Sequence, residues 1–324
     1  MIRRIGASLV VLWALAAIAA PVVAPHAVDA RFPGLLNAPP SRLTVAGARL
    51  AIHPWRLVNQ LEQEYELDAA QTVPLRWFSN GRLVTSSDEA RAPLLVLGAD
   101  SYGRDVFSRL VFGARTSLGL AVVSAVGAML VGALAGGIAG YAGGALDDVL
   151  MRTADFVMVL PAMYVVLALR AVMPLVLPPA TVFLLLASIF AIVGAPFMAR
   201  GVRAIVRSER RLDYVVAAEA LGAGTTRLLV RHLLPAARGY IAVQLTLLIP
   251  AFIVAEATLS YVGLGFPDPI ASWGTMLHDA SANVRVFAEF PWLLSPAAAI
   301  FLVVLGLNLA LEGSPEGLRY DSSR

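Results

Sequence analysis

The sequence predicts an all-α polytopic membrane protein with six transmembrane helices and a polar insert after the first. Three observations carry that prediction. The 324 residues are 58% hydrophobic and 15% charged, with a mean hydropathy of +0.74, too apolar for a soluble domain of this size. Apolar runs long enough to cross a hydrocarbon core recur along the chain. Between two of them lies a loop with eight arginines from Arg200 to Arg238, which the positive-inside rule places in the cytoplasm.

The first run, Ile5 to Ala24, follows a short basic start and would be about 30 Å long as a helix. Residues 1–24 read as a retained first span. A signal peptide cleaved near Val28-Asp29-Ala30 would leave the same topology. Residues 25–112 then form a periplasmic insert and interfacial segment, with nine arginines balanced by nine acidic residues. Prolines from Pro25 to Pro74 break it up, and Leu61 to Ala70 reads as a short helix. Trp55, Trp77 and Phe78 suggest a small folded or membrane-apposed unit.

Residues 113–312 make a core of five further helices. The second span, about 116–141, has Gly132 and Gly136 at GxxxG spacing, for close packing within the chain or between subunits. A short loop, 142–155, follows. The apolar stretch 156–199 is too long for one helix, and Pro174, Pro178 and Pro179 divide it into spans at 156–176 and 180–199. Arg170, in the first of these, faces a cavity or snorkels to the interface. The fifth span, 240–264, has a proline kink at Pro250 and carries Glu256. That carboxylate is either part of a translocation path or a structural partner of Arg170 or of backbone groups. Residues 265–292 lie outside, the last span covers 294–311, and a tail at 313–324 is cytoplasmic, as is the N-terminus.

Composition also excludes chemistry. There is no cysteine, and all 25 basic residues are arginine, so no P-loop GxxxxGK[ST] exists in this chain. Four scattered histidines and the absence of HExxH and GxSxG leave no metal set or nucleophile. The modest net charge of +3 follows membrane topology and is no nucleic-acid footprint. The chain reads as a non-enzymatic transport subunit with no metal or cofactor of its own. A secondary transporter working through Arg170 and Glu256 is the alternative.

Asp213 to Pro235, within the cytoplasmic loop 200–238, reads as a helix, a glycine turn at Gly222 and Gly224, and a second helix. Thr225 is placed to cap that second helix and Pro235 to stop it. Two short amphipathic helices held at a membrane face suit docking into another protein.

This stretch resembles the EAA loop of ABC-importer permeases. Ala217, Ala218, Gly222, Leu234 and Pro235 sit in register with that motif, and His232 matches the Arg-His-x-Leu-Pro ending of its dipeptide and oligopeptide branch. The motif's glutamate position is Val216, with Glu219 one turn later. Three further segments are similar to the peptide and nickel permeases. LGADSYGRDVFSRLVFGAR carries Asp100, Gly103, Arg104, Asp105 and Arg109; AEATLSYVGLG surrounds Glu256; and PDPIASWGTM carries Trp273 and Gly274. Arg104, Asp105 and Arg109 are expected to form an interfacial ion-pair cluster, and Trp273 to lie at the interface.

The resemblance implies a type I ABC importer permease fold in the cell inner membrane. It implies four kinds of partner besides membrane lipid: a second permease subunit, two ABC ATPase subunits that bind ATP and Mg, an extracytoplasmic solute-binding protein and a peptide-like solute. It also implies that the loop couples to the ATPases, with Gly222 as its elbow and Arg227 and Arg231 at the rim of the contact.

Overall fold

The computed structural model describes residues 2–46, 49–160, 162–172, 174, 177–282 and 284–311, without the side chains of 162, 163, 169, 170 and 311. The expected tail at 313–324 lies outside the described residues. In chain order the elements begin with α1 (Ile2–Ile18) and α2 (Ala20–Val23). Six strands follow: β1 (Leu43–Ala46), β2 (Arg49–Ile52), β3 (Trp55–Asn59), β4 (Glu64–Leu67), β5 (Val73–Ser79) and β6 (Arg82–Ser86). The long helix α3 (Val106–Ala142) precedes α4 (Gly144–Val159), α5 (Ala162–Val172) and α6 (Pro179–Glu209). Then come α7 (Asp213–Ala220), α8 (Thr225–Leu228), a π-helical turn (Leu229–Leu233), α9 (Leu234–Ala236) and α10 (Arg238–Tyr261). The chain closes with α11 (Trp273–Ser281), a short 3-10 turn at Pro291–Leu294, and α12 (Ser295–Leu311).

Among the described residues, four helical stretches are long and apolar enough to cross a membrane: Val106–Ala142, Pro179–Glu209, Arg238–Tyr261 and Pro291–Ala310. They coincide with the expected second, fourth, fifth and last spans. The other two fall short as single helices. α1 has 17 residues and is interrupted at Ala19, just before Pro21. The expected span 156–176 is divided at Leu160, which precedes a proline in the sequence and is extended there, leaving an 11-residue α5. The expected loop 142–155 is mostly the helix α4, entered through Gly143 and Gly144, both with positive φ.

Nor is the chain all-α. The insert folds as an antiparallel sheet in the order β1-β2-β5-β6, with the β3-β4 hairpin as a separate pair. Glu64–Leu67, inside the expected helix at 61–70, is the strand β4, paired to β3. Asn80 and Gly81, both at positive φ, turn β5 into β6, a geometry that Asn-Gly supports with little strain. Ile52, Val73, Leu75, Ala92 and Leu94 form the insert's core.

The chain divides into two compact units. One comprises residues 3–119 with 256–308, and the other is built on 120–255. In the first, α1 and α12 pack closely, since a Cβ at Gly306 would meet the Gly6 carbonyl at 3.1 Å. In the second, Gly132, Gly136 and Gly140 lie along one face of α3 against the backbone of α6. A Cβ at any of them would collide with the carbonyl of Ala195, Ala199 or Arg203. Small residues at four-residue spacing thus let two helices approach within this chain. Asp147 of α4 binds the Arg203 guanidinium of α6 with both carboxylate oxygens, fixing a third helix to the pair.

Candidate functional site

The segment 213–237 belongs to the second unit, and its apolar residues divide between two destinations. Val215, Leu228, Leu233 and Ala237 are buried with Met198, Val202 and Val206 of α6, and Ala218, Leu229 and Leu234 pack against that cluster. Val216, Leu221 and Val230 are exposed, Leu221 by 90%. Ala217, Glu219, Arg227, Arg231 and Pro235 are exposed as well, and His232 is half-buried with its ring 6.3 Å from that of Tyr214. The segment therefore has one face bolted to α6 and an outward face that mixes apolar and basic side chains.

Local chemistry explains its shape. Gly222 has φ +87°, a left-handed conformation that a residue with a Cβ adopts only with strain, and it ends α7. The cap of α8 is Gly224, without a side-chain hydrogen bond, and the Thr225 hydroxyl instead meets the Tyr141 hydroxyl at 3.4 Å. Pro235 does not stop the helix as expected. The wider π turn just before it accommodates a residue that lacks an N–H, and after a single turn residue α10 begins.

The family-marker segments meet in the first unit. Arg104 is fully buried, and its guanidinium donates to Asp100 Oδ2 at 2.7 Å, Asp268 Oδ1 at 3.0 Å and Asp279 Oδ2 at 2.6 Å. Arg109 lies farther from the same acids, at 3.8 Å from Asp100 and 3.6 Å from Asp279, and Arg31 reaches Asp268 at 3.3 Å. Burial alone would lower the Arg104 pKa, but the Asp100 and Asp279 carboxylates outweigh it and hold that pKa above its ordinary value. Three guanidinium groups thus face three carboxylates, two of which come from 265–292 and were not singled out in the sequence.

Asp105 is not part of that cluster. It sits at the start of α3 and accepts hydrogen bonds from the backbone N–H of Phe107 and Ser108 and from the Ser108 hydroxyl. Burial pushes its pKa up to about 7 against those bonds. Gly103, at φ +71°, lies where a Cβ would strike the Phe32 carbonyl.

Glu256 is fully buried and ties three segments together. Its carboxylate accepts from Ser117 Oγ of α3 at 2.7 Å and from Ser260 Oγ, also at 2.7 Å, while Ser272 Oγ lies 3.5 Å from Ser260 Oγ. The Trp273 backbone N–H donates back to Ser117 Oγ at 3.1 Å. Among the described residues, Glu256 is thus held by hydroxyl groups. The Arg170 side chain lies outside the described residues.

Trp273 is fully buried, not interfacial. Its indole N–H donates to the Leu110 carbonyl at 3.0 Å, and its ring meets Trp13 edge-on at 5.3 Å. A Cβ at Gly274 would sit 2.6 Å from that of Ser260. The hydroxyl partners of Glu256 lie four residues on, at Ser260, and 139 residues earlier, at Ser117, a weak signal without the fold.

Spanning helices, two buried polar clusters and a segment packed on α6 with an outward apolar face define a multi-pass membrane protein. Residues 128–314 match the family described as binding-protein-dependent transport system inner membrane component. The chain is 40% identical over 222 residues to the oligopeptide transport system permease protein of Bacillus subtilis (strain 168), covering 68% of this chain and 70% of that one. It is 38% identical over 221 residues to the dipeptide transport system permease protein of the same organism, covering 68% and 67%. The chain belongs to this family and is an ABC-transporter permease component of the inner membrane.

Proposed function

We propose that the chain forms half of the translocation path of an ATP-driven importer of peptides or similar small solutes. The second half is another permease subunit. Two ATPase subunits, which hold ATP and Mg, engage the 213–237 segment, and an extracytoplasmic binding protein delivers the solute. The reading rests on one observation: the segment exposes Val216, Leu221 and Val230 while burying Val215, Leu228 and Leu233 against α6. An apolar face on a rigid support transmits a partner's motion as a shift of whole helices.

Orientation follows from the arginine-rich segment on the cytoplasmic side, with both termini there and the insert outside. Six spans are kept in this reading. α1 and α2 together cover residues 2–23, roughly 33 Å at helical rise, and α5 serves as a short third span. A secondary transporter built on Arg170 and Glu256 is not favoured, because hydroxyl groups occupy both Glu256 oxygens and the family depends on a binding protein.

The test is purification of the tagged chain from its own membranes in mild detergent, with mass spectrometry of what accompanies it. P-loop ATPases and a second permease are expected with the native chain, and the ATPases are expected to be lost or much reduced with Leu221→Asp at unchanged abundance. A native chain that purifies alone, while a known importer stays whole in parallel, would overturn the proposal.

A further inference from the structure

Between α6 and α10, within the second unit, lies a crevice of about 340 Å³. Its walls include Phe190, Phe197, Leu247, Ala251 and Phe252, and among the described residues a single polar side chain, Gln244, faces into it. The Phe190 and Phe252 rings stack at 5.5 Å between centroids, within 6° of parallel, and form a flat apolar wall. Volume and lining are those of a small-ligand site: mostly apolar, with one group able to orient what enters.

We infer that this crevice holds an apolar side chain of the transported solute during passage, with the Gln244 carboxamide hydrogen-bonding a solute amide. The inference rests on the half-channel reading and deepens it.

Three observations favour the solute over a lipid chain as occupant. Gln244 is the seventh residue of α10, about 9 Å into a spanning helix, where a polar side chain is costly unless it faces a cavity or the bundle interior. Among the described residues its amide makes no hydrogen bond of its own, so a donor and an acceptor remain to be matched. A lipid tail would match neither.

Topology supplies the third observation. α6 and α10 are the two helices that the 213–237 segment joins, so a shift of that segment acts on both crevice walls. Each wall also holds an internal proline, Pro196 beside Phe197 in α6 and Pro250 beside Ala251 in α10. Each proline removes one backbone donor and makes a local bending point. Movement of the segment would therefore widen or narrow the crevice at the level of its lining residues, giving the solute a site whose affinity changes through the cycle.

The absence of cysteine permits a direct test in the assembled importer. Single cysteines are placed at Leu247 and Ala251, with the exposed Ala242 on the opposite face of α10 as the reference. They are treated in membrane vesicles with a charged methanethiosulfonate that cannot enter lipid. Modification is expected at Leu247 and Ala251 but not at Ala242, slowed several-fold by leucyl-leucine and little by glycylglycine. Crevice cysteines as unreactive as the one at Ala242 would mean that lipid or a packed helix fills the space, and would overturn the inference.

Uptake gives a second reading. Ala251→Phe fills the crevice, and the ratio of leucyl-leucine to glycylglycine uptake is expected to fall at least about tenfold, the scale of losing burial for one apolar side chain. An equal loss for both dipeptides would contradict the inference. If deleting the chain left uptake of both unchanged, the half-channel reading would itself fall, and this inference with it.

Discussion

The Arg104 and Glu256 clusters and the 213–237 segment treat unlike groups in opposite ways. The clusters surround buried charge with polar partners, the Arg104 guanidinium with three carboxylates and the Glu256 carboxylate with serine hydroxyls. The segment leaves apolar side chains in the open on a support that is itself well packed. Conspicuous charge in an apolar chain invites a functional reading, yet here it is internal bracing. The surface proposed to meet a partner is the inconspicuous one, a few aliphatic residues around a glycine. Substitutions at four positions separate bracing from docking.

The largest effect is expected at Arg104. Removing one member of a buried ion cluster strands the others, so Arg104→Ala should destabilise the chain by about 3–5 kcal/mol. Its abundance in the membrane, or its melting temperature in detergent, would show the loss. Arg104→Lys should recover only part of it, since an ammonium cannot reproduce the three-way fork.

His26 braces the insert in a pH-dependent way. Its backbone N–H donates to Ser108 Oγ at 3.0 Å, and its ring bonds the Leu94 carbonyl at 3.1 Å. Burial lowers the ring pKa from 6.5 to about 4, with Arg82 adding to the shift. The unfolded chain therefore takes up the proton first. The stabilisation, up to about 3 kcal/mol, is complete above pH 6.5 and is lost as pH falls toward 4. Proteolysis of the insert should accelerate over that window, and His26→Gln should flatten the dependence.

Glu256→Ala leaves the Ser117 and Ser260 hydroxyls without their acceptor and should cost about 1–3 kcal/mol. Thermal unfolding in detergent would measure it. If Glu256 were instead a path residue, transport would fall while stability held. At the other extreme, Leu221→Ser removes no internal contact and should change stability by no more than about 0.5 kcal/mol.

Much of this organisation was legible in the sequence, and the reasons are physical. The long apolar runs predicted the four stretches that meet span length, because hydropathy reports burial without regard to neighbours. The register of Ala217, Ala218 and Gly222 located an elbow that the backbone places at Gly222. The sheet in the insert was not foreseen, although Asn80-Gly81 between alternating residues is a hairpin signal. Short strands give weaker patterns than spanning helices. Asp268 and Asp279 were not paired with Arg104, which lies more than 160 residues earlier. Only the fold joins them.

The most direct test of the central claim is the ratio of ATP hydrolysed to solute imported by the reconstituted importer carrying Gly222→Asp. A side chain at φ +87° should deform the elbow without touching the α6 base. The account predicts normal abundance of the subunit, continued ATP hydrolysis and import reduced to background. Normal import at a normal ratio would show that the elbow carries no coupling, and would contradict it.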